Sequence, residues 1–266
     1  MLFFVVPFGI MMLYSVSTQD ALTAKIDYAW TLSNYAKLDS PTVLTSVERS
    51  LMVSALATGF CVLLGYPVAY FIAHKAGRFK PLLLVLVIIP FWTSFVIRTY
   101  AWLGLLSPAG YVNELLKSLG LIDGPLSLAF HPAAIVIGIT YNYLPIMIFP
   151  VFVALDRIDP RVLEAARDLG AGGLAVIWRI IIPQSLPGLV AGIIVVAVPA
   201  TGEYVVPAIL GGGKTLMLGN VIGAQFGLSF VWPFGAALAT AMTGLLLLFI
   251  AVTVKAASRL GMERVS

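Results

Sequence analysis

The chain has few groups able to make or break a covalent bond. Its 266 residues include two histidines, His74 and His131, and one cysteine, Cys61. The histidines fall in separate loops and Cys61 lies inside an apolar run, so no catalytic dyad, disulfide or two-cysteine metal motif can be assembled from them. Neither Gly-x-Ser-x-Gly nor His-Glu-x-x-His occurs. "GGGKT" (211–215) ends like a phosphate-binding loop, yet the position of its opening glycine holds Ala208. Catalytic and metal-ligating residues are therefore expected to be none. Non-covalent recognition remains. Glu203, in "VPATGEYVVPAILGG" (198–212), is an acid within an apolar run, and a carboxylate beside Tyr204 suits an amine cation. Trp92, Thr93 and Tyr100 in one apolar run, and Tyr141, Asn142 and Tyr143 in the next, add aromatic and polar surface. An aromatic face attracts an ammonium group by about 0.5–2 kcal/mol. The competing readings are an ion pair between Glu203 and Arg98, and ordinary interfacial placement of the aromatics.

The elements that would position these groups are membrane spans. The chain is 60% hydrophobic and 11% charged, with a mean hydropathy of +1.01; soluble domains run near 45–50% and 25%. Apolar segments at 2–17, 51–73, 82–106, 133–155, 189–210 and 234–254 predict six transmembrane helices and one membrane domain over residues 1–266. The first segment has no Lys or Arg before it and reads as a retained helix rather than a cleaved signal. Pro199, Gly202 and Pro207 interrupt regular helix around Glu203, and broken helix at membrane depth is tolerated where it lines a cavity or is buried in protein. The outer loops 20–38 and 110–128 read as interfacial caps, the second as a short amphipathic helix ending near Gly120.

Charge sets the orientation. Lys75, Arg78, Lys80, Arg157, Arg161, Arg167, Arg179, Lys255, Arg259 and Arg264 lie on one side, against Lys25, Lys37, Arg49, Lys117 and Lys214 on the other. Ten against five places the first group, and both termini, in the cytoplasm. Nothing in the charge pattern suggests nucleic acid; the surroundings are membrane lipid.

The cytoplasmic loop 156–188 is far longer than a turn requires. In "DPRVLEAARDLGAGG" (159–173), Asp159 is a good N-cap, Pro160 suits the first helical position, and Gly170 can take the left-handed conformation that stops the helix. Val162, Leu163, Ala166 and Leu169 share one face at helical spacing, while Glu164, Ala165 and Asp168 fall elsewhere. A second, membrane-parallel or membrane-entering helix is predicted from about Ala175 to Pro183, and the loop as a whole reads as a docking surface.

Glu164, Ala165, Ala166, Gly170, Ile180, Ile182 and Pro183 resemble the loop signature of importer-type ABC transporter permeases, with Ile182 where Leu is usual. "GYPVAYFIA" (65–73), "IIPFWTSFVIRTYAW" (88–102), "GEYVVPAILGG" (202–212), "GNVIGAQF" (219–226) and "WPFGAALA" (232–239) are similar to the spermidine/putrescine branch of that family. The resemblance covers essentially the whole chain. It implies an all-α integral membrane fold of the type I importer kind in the bacterial inner membrane. It also implies a coupling helix in which Glu164, Ala165, Ala166, Asp168 and Gly170 meet a cytoplasmic ATPase. The implied partners are two ATPase subunits that bind ATP and Mg, a second homologous permease, and an extracytoplasmic solute-binding protein; the chain itself needs no cofactor. The runner-up is a permease for another small solute, such as an amino-acid derivative, an opine or ferric ion. A secondary transporter would favour paired intramembrane charges and inverted repeats, and a membrane-embedded enzyme would cluster His, Asp or Ser at one depth; neither pattern is present.

Overall fold

The computed structural model describes residues 2–20, 23 and 25–262; Arg264 of the charge count lies outside the described residues. The elements are helical: α1 (Leu2–Ser15), α2 (Ser33–Ala36), α3 (Pro41–His74), α4 (Lys80–Ile88), α5 (Phe95–Leu106), α6 (Tyr111–Ser118), α7 (Pro132–Asp156), α8 (Pro160–Asp168), α9 (Gly173–Val176), α10 (Ile182–Thr201), α11 (Val205–Leu210), α12 (Leu218–Gly227) and α13 (Trp232–Met262). The exception is a two-residue antiparallel ladder, β1 (Thr18–Gln19) with β2 (Ile26–Asp27), in the loop after α1.

Among the described residues four helical runs are long and apolar enough to cross a membrane: Pro41–His74, Pro132–Asp156, Gly173–Thr201 and Trp232–Arg259. A fifth forms if a bent pair, Gly77–Trp92 and Phe95–Ser118, is one span. By length and composition these described helices account for four or five of the six expected spans. α1, at 14 residues, is about 21 Å long against a hydrocarbon core of about 30 Å. The predicted span 82–106 turns through 88° at its middle. Pro90 supplies no N–H there, a tight turn runs over Ile89–Trp92, and Thr93 is extended.

The segment predicted at 189–210 ends at Thr201, and its helix begins far earlier. α9, a π-helical turn over Ile177–Ile181 and α10 are continuous through Pro183 and Pro187, so the helix expected from about Ala175 starts at Gly173 and does not stop at Pro183 but runs on to Thr201. The π turn precedes Pro183, whose ring would clash with the carbonyl four residues back in a regular α-helix. α3 and α13 overrun their apolar cores, taking in Glu48 and Arg49 at one end and Lys255 and Arg259 at the other.

The chain divides into two compact units: residues up to Val53 with Leu106–Ile135 and Thr201–Phe249, and Ser54–Leu105 with Val136–Ala200 and the residues from Ile250 on. In the second, Cys61, Ala69, Met147, Val151, Leu155 and Val196 are fully buried in one core. α10 lies close against α7 through a Gly-x-x-x-Gly pair. A Cβ on Gly188 would fall 2.5 Å from the Pro150 carbonyl oxygen, and one on Gly192 would fall 2.7 Å from Met147 Sδ. In the first, Val43, Leu218, Val221 and Leu238 form a smaller core.

Candidate functional site

The charged loop is built on a capped helix. Asp159 accepts a hydrogen bond from the Arg161 N–H at 2.9 Å, and Pro160 occupies the first position. At the other end Gly170 takes φ +83°, its N–H reaches the Arg167 carbonyl at 2.8 Å, and the Ala171 N–H reaches the Ala166 carbonyl at 3.0 Å. This paired closure needs a left-handed residue, which glycine adopts without strain.

The predicted apolar face divides. Leu163 is buried and Ala166 half-buried against the core that holds Leu155, Ile158, Val176 and Ile181. Val162 and Leu169 face out, the latter 88% exposed. Leu163 and Ala166 are three apart on the inward line, and Val162 and Leu169, seven apart, fall together to one side of it. The outer surface therefore combines Glu164, Ala165 and Asp168 with exposed Leu169, Leu174 and Trp178. Exposed acids, a small residue and large apolar side chains within fifteen residues of chain are the composition of a surface suited to a protein partner.

The second candidate site lies where the helix ending at Thr201 breaks. Glu203 is buried, and its Oε1 accepts from the N–H groups of Tyr204 at 3.1 Å and Val205 at 3.0 Å, so it caps α11. Tyr204 is about half exposed. α12 clamps this turn. Asn220 Nδ2 donates to the Tyr204 carbonyl at 2.9 Å, Asn220 Oδ1 accepts from the Met217 N–H at 3.1 Å, and Gly223 lies against the Tyr204 ring. A Cβ on Gly219 would meet the Gly202 oxygen at 2.5 Å and the Glu203 oxygen at 2.7 Å, so only glycine permits this approach. Gly219→Ala is expected to push the Glu203 turn outward and to lower stability by about 1–3 kcal/mol. The melting temperature in detergent, compared with Gly59→Ala, where a Cβ meets nothing within 4 Å, checks this.

The aromatic and polar candidates of the second unit fall into three groups. Trp92 is 80% exposed at the elbow between α4 and α5, and Tyr100 is exposed on α5. Tyr141 packs edge-on against Trp102 at 5.4 Å and shares an apolar pocket of about 270 Å³ with Phe60, Leu64 and Thr140. Tyr143 meets Phe95 edge-on at 6.5 Å. Thr93 and Asn142 are brought together through Arg98. Its Nε donates to Asn142 Oδ1 at 2.9 Å, and its Nη1 donates to the Pro90 carbonyl and, at 2.9 Å, to the Thr93 carbonyl. The rings of Phe91 and Phe95 lie 5.3 and 5.9 Å from the guanidinium carbon. These hydrogen bonds of Arg98 run to neutral oxygens. Asn142 is buried, and its Nδ2 donates to the Gly138 carbonyl at 3.0 Å, so its amide is engaged on both sides.

Arg98, Gly219, Asn220 and Gly223 were not singled out as site residues by spacing alone. A lone Arg inside an apolar run was the available signal for the first. "GNVIGAQF" carried the other three, but which face of α12 meets the turn is visible only in three dimensions. The "GGGKT" stretch follows helix α11 rather than a strand, unlike a phosphate-binding loop.

Residues 62–261 match the family of binding-protein-dependent transport system inner membrane components. The chain is 44% identical over 226 residues to the spermidine/putrescine transport system permease protein PotB of Escherichia coli K12, covering 84% of this chain and 82% of that one. It is 40% identical to PotB of Haemophilus influenzae, over 85% of this chain and 79% of that one. Among solved structures it superposes on a chain of a bacterial alginate ABC transporter with a TM-score of 0.77 at 16% identity, covering 97% of this chain and 90% of that one. It also superposes on a chain of the MetNI methionine ABC transporter with a TM-score of 0.57 at 19% identity, over 83% and 95%. The chain therefore belongs to the binding-protein-dependent inner membrane components, the permeases of ABC importers, within the branch that contains the spermidine/putrescine permeases. It is accordingly a multi-pass inner-membrane protein with the type I permease fold.

Proposed function

We propose that the chain is the translocating subunit of an ATP-driven importer for spermidine or putrescine. The observation that carries this reading is the 44% identity to PotB over 84% of the chain. The whole chain would act as one permease domain with both termini in the cytoplasm, an orientation favoured by ten Lys and Arg against five. It would pair with a second, homologous permease. Two ATPase subunits would bind ATP and Mg and dock on the 156–188 loop, and a solute-binding protein would deliver substrate from outside.

Glu164, Ala165, Ala166, Asp168 and Gly170 would make the docking surface. The exposed acids and apolar side chains around α8, and the Gly170 turn that ends it, support that role. Glu203 and Tyr204 would meet the cationic substrate, with Trp92, Thr93, Tyr100, Tyr141 and Tyr143 contributing aromatic and polar surface. Asn142 would act on the pathway through Arg98. A polyamine carries several charges and this chain contributes one intramembrane acid, so further acids would come from the partner permease. Transport of labelled spermidine and putrescine into proteoliposomes holding the complete complex tests the assignment. ATP-dependent uptake of either supports it; uptake of a different solute with neither polyamine competing contradicts it.

A further inference from the structure

α7 is bonded to the bent span on both sides of its elbow. Asp156, the last residue of α7, accepts from Lys80 Nζ at 2.5 Å, and Lys80 opens α4, the arm before the elbow. Fourteen residues earlier, Asn142 accepts from Arg98 in α5, the arm after the elbow. The same guanidinium donates to the Pro90 and Thr93 carbonyls at the elbow, where the Pro90 oxygen also accepts from the Thr93 N–H at 3.3 Å and the Thr93 hydroxyl at 2.8 Å. The bond from Asn142 Nδ2 to the Gly138 carbonyl fixes the amide so that Oδ1 faces Arg98. At its other end α7 runs into the charged loop. Residues 157–159 separate it from α8, and Leu155, Ile158 and Leu163 share one core.

From these bonds we infer that Arg98 and Asn142 are positioning residues that make the elbow and the charged loop move as one body. The inference rests on the reading of residues 156–188 as the ATPase-docking loop. A displacement of α8 passes through the shared core into α7. It then reaches Thr93 and exposed Trp92 through the Asn142–Arg98 bond. Lys80 and Asp156 are 31% and 41% exposed, so water and salt weaken that link. The Arg98–Asn142 link is buried and unscreened, and it carries the larger share. Capping the elbow alone would need only a neutral donor; the guanidinium fork holds the elbow and α7 together.

The test measures polyamine uptake and ATP hydrolysis together in proteoliposomes holding the complete complex. Asn142→Leu removes the acceptor while leaving Arg98 to cap Pro90 and Thr93. The expected result is an uptake-to-hydrolysis ratio about tenfold lower, with hydrolysis within about twofold of native. Asn142→Asp loses the bond to Gly138 but keeps an acceptor oxygen, now charged, for Arg98, and should hold the ratio well above that of Asn142→Leu. Parallel loss of uptake and hydrolysis, or an unchanged ratio in Asn142→Leu, overturns the inference. If Asn142→Leu does not assemble, Arg98→Lys is read in its place, because a point charge cannot span the elbow and α7 together; an unchanged ratio there also overturns it. Glu164→Arg runs alongside. An ATPase that stays bound to that variant counts against the docking reading, whereas normal loss of ATPase there with an unaffected Asn142→Leu counts against this inference alone.

Discussion

Glu164→Arg is expected to release the ATPase subunits from the purified complex while the permease itself stays folded. Glu164 is exposed and lies off the inward line of α8, which is held by Leu163 and half-buried Ala166. Arginine is as good a helix former as glutamate, so the Asp159 cap and the Gly170 closure survive the change. The change therefore acts on whatever meets that face. Placing a cation where a partner has built a site for a carboxylate sets like charges together, at a cost of several kilocalories per mole. Affinity for the ATPase should fall by about a hundredfold or more, readable as loss of co-purification and confirmed by titrating ATPase onto the immobilised permease. Ala165→Leu should weaken the same contact through bulk, with no change of charge. If ATPase binds both variants as it binds the native chain, α8 is a connector.

Glu203→Gln is expected to abolish most polyamine uptake without loss of fold. Glutamine keeps a carbonyl oxygen at the position of Oε1, so the Tyr204 and Val205 N–H groups still find an acceptor and α11 stays capped. What is removed is the negative charge. A hydrogen bond to a charged group contributes about 1.5–3 kcal/mol, which predicts a fall in uptake of at least tenfold at limiting substrate. Glu203→Ala removes the cap as well, and should add a stability loss of about 1 kcal/mol visible in the melting temperature. The pair separates the two roles. Normal uptake in Glu203→Gln with destabilised Glu203→Ala would leave Glu203 as a helix cap alone.

The sequence showed best what is decided locally. Asp159, Pro160 and Gly170 mark both ends of α8 because capping uses residues within a turn of each end, and Gly120 closes α6 in the same way. Apolar run length found the hydrocarbon-crossing part of α3 and α13 but not their full extent. These helices continue past their apolar stretches into polar residues such as Arg49 and Arg259. It also joined what Pro90 breaks and separated what Pro183 merely widens, since whether a proline bends a helix or is absorbed by a π turn depends on packing around it. Arg98 is the clearest case of information absent from spacing. Its partners Pro90 and Thr93 lie at the elbow within eight residues of it, but Asn142 lies 44 residues further on, and the fold alone brings it to the same guanidinium. Similarly, Asn142 read as pathway surface by residue type, while its amide is consumed by Arg98 and Gly138.

The proposed function is service in a polyamine importer powered by separate ATPases. Its most direct test is ATP hydrolysis by the complete complex in lipid, with its binding protein, titrated with spermidine, putrescine and unrelated small solutes. A polyamine is expected to raise the hydrolysis rate several-fold over the unstimulated complex, and Glu203→Gln to blunt this. Hydrolysis indifferent to both polyamines but raised by another solute would contradict the substrate assignment. Uptake that persists with no ATPase bound and no ATP present would contradict the importer itself.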